Sequence, residues 1–127
     1  MINLVLNPGI DGRYSTEGEI NGVPVKFLID TGAVRCVVPL RLMNTMGLYP
    51  GKKVRTSTAN GIGTAYHTNI ETLTFGNFTL RNVDGKLSVG MNHQEFTVLG
   101  MSALKQFNFT QQEGMLVIWQ PDQPTVG

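Results

Sequence analysis

The feature that most restricts the fold is a pair of short turn signals, each set between runs of β-forming residues. Asn21-Gly22 separates residues 13–20 from Val23–Ile29. Asn-Gly is the preferred pair for a two-residue type I′ turn, because both central residues must take positive φ. Gly76-Asn77 repeats the device between residues 68–75 and 78–83, and Asn60-Gly61 offers a third turn between residues 54–59 and 62–70. A chain punctuated in this way is expected to be mainly β with short connections. The third hairpin is rich in Thr and small residues, which predicts an exposed, mobile hairpin rather than core.

Two segments read as short helices. Pro39 suits a first helical position, Leu40, Met43 and Met46 can share a face, and Gly47 suits the stop. Residues 102–107 place Ala103, Leu104 and Phe107 on one apolar face. Residues 115–119 read as the last strand, and the tail from about residue 120 is expected to fray. The 127 residues suit one domain, residues 1–127, with no linker to divide it. A coarse echo links the halves. Phe27-Leu28-Ile29-Asp30-Thr31-Gly32 leads to the Pro39 segment, and Thr97-Val98-Leu99-Gly100 leads to the Ser102 segment.

Composition removes several function classes. A formal charge of +1 gives no electrostatic case for binding nucleic acid or an anionic membrane. Lys52, Lys53 and Arg55 form the only local basic cluster, read as a solvated loop. Phe75, Phe78, Phe96, Phe107 and Phe109 fall at positions suited to core, without interleaved basic residues for base stacking. Cys36 is the single cysteine, so no intrachain disulfide can form, and beside Val37 and Val38 it reads as a small buried residue. No run of eighteen apolar residues is present, so the chain as given is expected to be soluble, with no membrane contact by this segment. His67, His93 and Cys36 are isolated and lack metal-ligand spacing, which argues against a metal-dependent hydrolase.

Asp30-Thr31-Gly32-Ala33 puts an ionisable group where the apolar strand Phe27-Leu28-Ile29 ends. Alone, the motif could be an Asp capping a turn, with Gly32 supplying backbone freedom. Its context is more specific. Residues 22–33, the hairpin Asn60-Gly61-Ile62-Gly63, and Val98-Leu99-Gly100 leading into Met101-Ser102-Ala103-Leu104 stand in one order between Gly12 and about Ile118. In that order the chain resembles retropepsin-like aspartic proteases, especially the single-domain bacterial members. The resemblance implies a closed, β-barrel-like acid protease fold with one or two short helices. It also implies an aspartic endopeptidase that needs no metal or organic cofactor and acts on extended polypeptides with apolar residues flanking the cleaved bond.

Hydrolysis by carboxylates needs one group to deprotonate water and another to protonate the carbonyl oxygen. Two carboxylates held about 3 Å apart cannot both ionise easily, so such a pair shares one proton. This chain has one Asp-Thr-Gly, while Asp11, Asp84 and Asp122 lie in turn-like or terminal contexts. The second carboxylate is therefore expected from another copy across a two-fold axis. By the resemblance, Asp30 is the shared acid and base, and Thr31 hydrogen-bonds across that axis. Gly32 brings its N–H to the carboxylate, and Ala33 with Asn60, Gly61, Ile62 and Gly63 contacts substrate, the last four as a flap tip. Val98, Leu99 and Gly100 pack beneath the loop.

One departure stands out. Val34 and Arg35 follow the motif where relatives usually carry Ser, Thr or Asp, and the distal helix offers Met101 or Ser102 where retroviral relatives place an Arg. Both partners of that ion pair are thus absent together. Arg35 is read as a solvated surface charge. The alternatives left open are a catalytically inactive dimer of the same fold that binds peptides, and a Gly-rich barrel with a structural role. The resemblance also implies a longer, membrane-anchored parent with this domain facing the periplasm, or otherwise a cytoplasmic protein.

Overall fold

The structure, a computed structural model, describes residues 3–58 and 61–121. Among these, ten strands dominate: β1 (Asn3–Leu6), β2 (Ser15–Ile20), β3 (Val23–Ile29), β4 (Cys36–Pro39), β5 (Lys53–Thr58), β6 (Gly61–Phe75), β7 (Phe78–Ser88), β8 (Thr97–Leu99), β9 (Asn108–Gln112) and β10 (Met115–Trp119). A single α-helix, α1 (Met101–Leu104), and two 3₁₀ turns complete them. Strands β2, β3, β8, β4, β7 and β6 pair in that order, and β6 returns to β2 to close a six-stranded barrel. β5 extends from β6 outside the ring, and β1, β10 and β9 form a separate antiparallel sheet. Among the described residues no helix is long and apolar enough to cross a membrane.

Local chemistry explains the hairpins. Asn21 and Gly22 take φ of 50° and 82°, the two positive values that a type I′ turn requires. The Asn21 side chain then ties the turn to the barrel, donating to Met46 O at 2.8 Å and accepting from Thr72 N–H at 3.1 Å. At the second turn Gly76 has φ of 56°, and β6 and β7 pair in one register from Phe75↔Phe78 out to Ala65↔Ser88. β7 is longer than its expected 78–83, because Asn82 absorbs a φ of 55° while the pairing resumes beyond it. Asp84 therefore lies within a strand, not in the turn-like context expected of it. β5 and β6 pair antiparallel as far as Thr58↔Gly61, so Lys53 and Arg55 sit on a strand rather than in a loop. The turn expected at Asn60 lies outside the described residues, as does, beyond residue 121, the tail expected from about residue 120.

Alternation along the strands fills the barrel. Ile20, Phe27, Val38, Ile70, Leu73, Leu87 and Leu99 are buried together, and Phe75, Phe78 and Phe107 form an aromatic cluster with centroids 4.7 to 5.4 Å apart. Cys36 is buried here, and that burial pushes its thiol pKa up. Phe96 is only half-buried. Phe109, expected in the core, is 37% exposed, on β9 at the edge of its sheet among the described residues.

The first expected helix is a 3₁₀ turn, Leu40–Leu42, followed by further turns to Gly47. Asn44 and Thr45 are poor helix formers, so nothing extends the turn into regular α-helix. Met46 is nevertheless buried, and Gly47 ends the segment with φ of 63°. The second helix begins at Met101, one residue earlier than expected, and loosens into turns that reach Phe107. The sequence echo has a direct counterpart, since β3 and β8 pair in parallel as Phe27↔Thr97, Leu28↔Val98 and Ile29↔Leu99.

Candidate active site

Asp30 continues the β3–β8 pairing by one residue, its N–H donating to Leu99 O at 3.0 Å. There the strand turns. Ala33 N–H donates to Asp30 O at 3.2 Å, and Gly32 N–H donates to Asp30 Oδ1 at 2.9 Å. That bond orients the carboxylate, and a Cβ on residue 32 would lie only 3.2 Å from the same oxygen. Asp30, Thr31 and Gly32 are exposed and Ala33 is half-buried.

The loop is held from behind by α1. Met101 N–H donates to Ala33 O at 2.7 Å, and Ser102 N–H donates to Val34 O at 2.9 Å. Gly100 makes this approach possible, because a Cβ there would stand 2.3 Å from Arg35 O and 2.9 Å from Ala33 O. Val98-Leu99-Gly100 thus lies against the Asp30 loop.

Ser102 occupies the place where an ion pair was expected to be missing. Its buried hydroxyl donates to Asp84 O at 2.6 Å and accepts from Cys36 N–H at 3.1 Å, joining α1, β4 and β7 without charge. Arg35 is not merely solvated. Its Nε lies 2.9 Å from Asp84 Oδ2 across the β4–β7 pair. Val34 is 73% exposed.

A row of half-buried side chains crosses the sheet beside this loop. Leu28 faces Val98, Val98 faces Val37, and Val37 faces Lys86. Lys86 donates from Nζ to Thr56 Oγ1 at 2.8 Å, reaching over β6 to β5. Burial, then the charge of Arg35, lowers its pKa from the ordinary lysine value. Sequence reasoning missed both Asp84 and Lys86, which alternate with buried Val83, Gly85 and Leu87 along β7.

Gly61 is exposed, Ile62 is 73% exposed and Gly63 is half-buried, all on β6 where it pairs with β5. Asn60 lies outside the described residues. The carboxylates of Asp84 and Asp11 are engaged elsewhere, the latter with Arg13 Nε at 2.7 Å. Among the described residues Asp30 has no acidic partner in hydrogen-bond contact, and no group of His, Cys, Asp and Glu is arranged to hold a metal.

A closed barrel with an Asp-Thr-Gly loop backed by an apolar-apolar-Gly strand and a short helix defines the retropepsin-like aspartic protease fold. Solved structures share it. A retropepsin-like aspartic protease from Rickettsia conorii superposes with a TM-score of 0.76 at 23% identity, covering 92% of this chain and 98% of that one. The protease of EIAV complexed with an inhibitor gives 0.60 at 21% identity, covering 79% and 92%. The simian foamy virus protease gives 0.53 at 19%, covering 72% and 91%. Residues 16–106 match the family described as gag-polyprotein putative aspartyl protease, and the chain belongs to that family. It is also 27% identical over 111 residues to an uncharacterised Sinorhizobium protein from the cobV 5′ region, spanning 85% of this chain but only 47% of that relative.

Proposed function

We propose that two copies of this chain form an aspartic endopeptidase in which water is activated between their two Asp30 carboxylates. The observation that carries the reading is the Asp30 loop itself. An exposed carboxylate is aimed by the Gly32 N–H and braced by Leu99 and α1, and its own chain's described residues supply no acid to pair with it. A second copy supplies the missing group.

In this reading the ionised Asp30 takes a proton from water while the protonated Asp30 of the other copy donates to the carbonyl oxygen. The tetrahedral intermediate then collapses: the Asp30 that took the water proton passes it to the amide nitrogen, the C–N bond breaks, and the other Asp30 takes a proton from a hydroxyl of the intermediate, so the pair regains its single shared proton. Thr31 bonds across the axis and keeps the two loops in register. Ala33 and the 60–63 segment contact extended substrate, the latter closing over it and excluding water. Neither metal nor organic cofactor takes part. An inactive, peptide-binding dimer is the second reading, favoured by exposed Val34.

Cleavage of a peptide library by wild type and Asp30→Asn tests both. Asp30→Asn is expected to lose at least about a thousandfold in rate, comparable to removal of other essential catalytic groups. Wild-type activity is expected to be highest at mildly acidic pH, to fall on full deprotonation, and to become second order in protein at high dilution. Equal digestion by both variants would overturn the protease reading, and no digestion by either would leave the binding dimer.

A further inference from the structure

The half-buried row beside Asp30 carries a charge, Lys86, that no carboxylate pairs with among the described residues. Leu28 lies two residues before Asp30, so strand alternation puts both on one face. From Leu28 the register runs through Val98 and Val37 to Lys86, while the opposite rows, including Phe27, Thr97, Cys36 and Leu87, are buried in the barrel. The floor beside the loop is therefore apolar until Lys86. Two cations face this side of β4 and β7. Arg35 is paired with Asp84. Lys86 donates to the neutral hydroxyl of Thr56, and among the described residues no carboxylate pairs with it.

We infer that Lys86 and Thr56 form a specificity subsite that takes an acidic side chain of the substrate, Asp or Glu. The inference rests on the protease reading and adds the chemistry of one side chain to it. An extended peptide sends alternate side chains toward the floor. One near the cleaved bond meets Val98 and Val37, and a following one reaches the ammonium, within about three residues of that bond given strand spacings of about 4.8 Å. A carboxylate there supplies the missing counter-charge and bonds both Lys86 Nζ and the Thr56 hydroxyl. A neutral amide of the same shape leaves the ammonium uncompensated. The lowered pKa of Lys86 agrees with an amine already partly removed from water.

The test uses peptide pairs that differ only by Glu against Gln at each position around the cleaved bond, assayed where Glu is ionised. The readout is the ratio of kcat/KM within each pair, which does not depend on how much of a sample is folded. Wild type is expected to prefer Glu on the order of tenfold at one position. Lys86→Met should bring that ratio close to one, and Lys86→Glu should reverse it in favour of Gln, while Lys105→Met, at an exposed position just past α1, keeps it. A wild-type ratio near one at every position overturns the inference, as does an unchanged ratio in Lys86→Met. Should that variant not fold, the wild-type ratio decides through its fall with added salt, and a salt-independent preference counts against Lys86. If wild type cleaves nothing, the protease reading fails on its own. Anisotropy of the same labelled peptides then decides the subsite: tighter binding of Glu peptides in wild type alone upholds it, and equal binding sinks it.

Discussion

Thr97 is fully buried at the start of β8, and its hydroxyl has no hydrogen-bond partner among the described residues. A buried hydroxyl without a partner costs about 1 to 3 kcal/mol in mutational data, while an apolar group of the same shape costs nothing of that kind. Thr97→Val is therefore expected to raise stability by about 1 kcal/mol and the Tm by a few degrees, as thermal unfolding can show. A lower Tm would mean that the hydroxyl has a partner after all. Legibility also varied at this scale. Asp30 could be read because its surroundings are local: three apolar residues, then Thr and Gly. Lys86 could not, because Asn82, Asp84 and Gly85 look like turn residues. Only pairing with the distant strands β4 and β6 reveals that they alternate within β7.

Among elements, α1 carries more than its four residues suggest. It cannot be stable by itself at that length, so packing and hydrogen bonds must hold it. Ser102 supplies several, with its hydroxyl joining Cys36 N–H to Asp84 O and its N–H reaching Val34 O. Ser102→Ala strands a buried N–H and a carbonyl, and denaturant unfolding should show a loss of about 1 to 3 kcal/mol. A change below about 0.5 kcal/mol would mean that those groups are satisfied in some other way. The helix was visible in the sequence from Ala103, Leu104 and Phe107. Its role as a strut was not, since Ser102 is an ordinary polar residue until the fold brings β4 and β7 against it. The 3₁₀ turn after Pro39 shows the reverse, with Leu40, Met43 and Met46 spaced for a helix that Asn44 and Thr45 do not support.

At the scale of the molecule, the hairpins are local and their turn residues announce them, but closure of the barrel is not. The seam joins β2 to β6 as Gly18↔Phe75, Glu19↔Thr74 and Ile20↔Leu73, strands separated by three others in the chain. Gly18 is what lets them meet, because a Cβ there would stand 2.1 Å from Thr74 O and 2.7 Å from the Phe27 ring. Neither atom is the free end of a flexible side chain, so Gly18→Ala must push the two strands apart, at a cost on the order of 3 kcal/mol. Gly22→Ala provides the contrast. It sits at φ of 82° with nothing within 4 Å of its Cβ, so it bears only left-handed backbone strain, about 1 to 2 kcal/mol. Denaturant unfolding of both variants separates the two costs. The larger loss at Gly18 would place a major constraint on the fold at the seam, and equal losses would show that the barrel tolerates a wider gap there. Since β2 pairs with β3, the strand that leads into Asp30, a seam forced open should also lower the proposed peptidase activity in the Gly18 variant more than in the Gly22 variant.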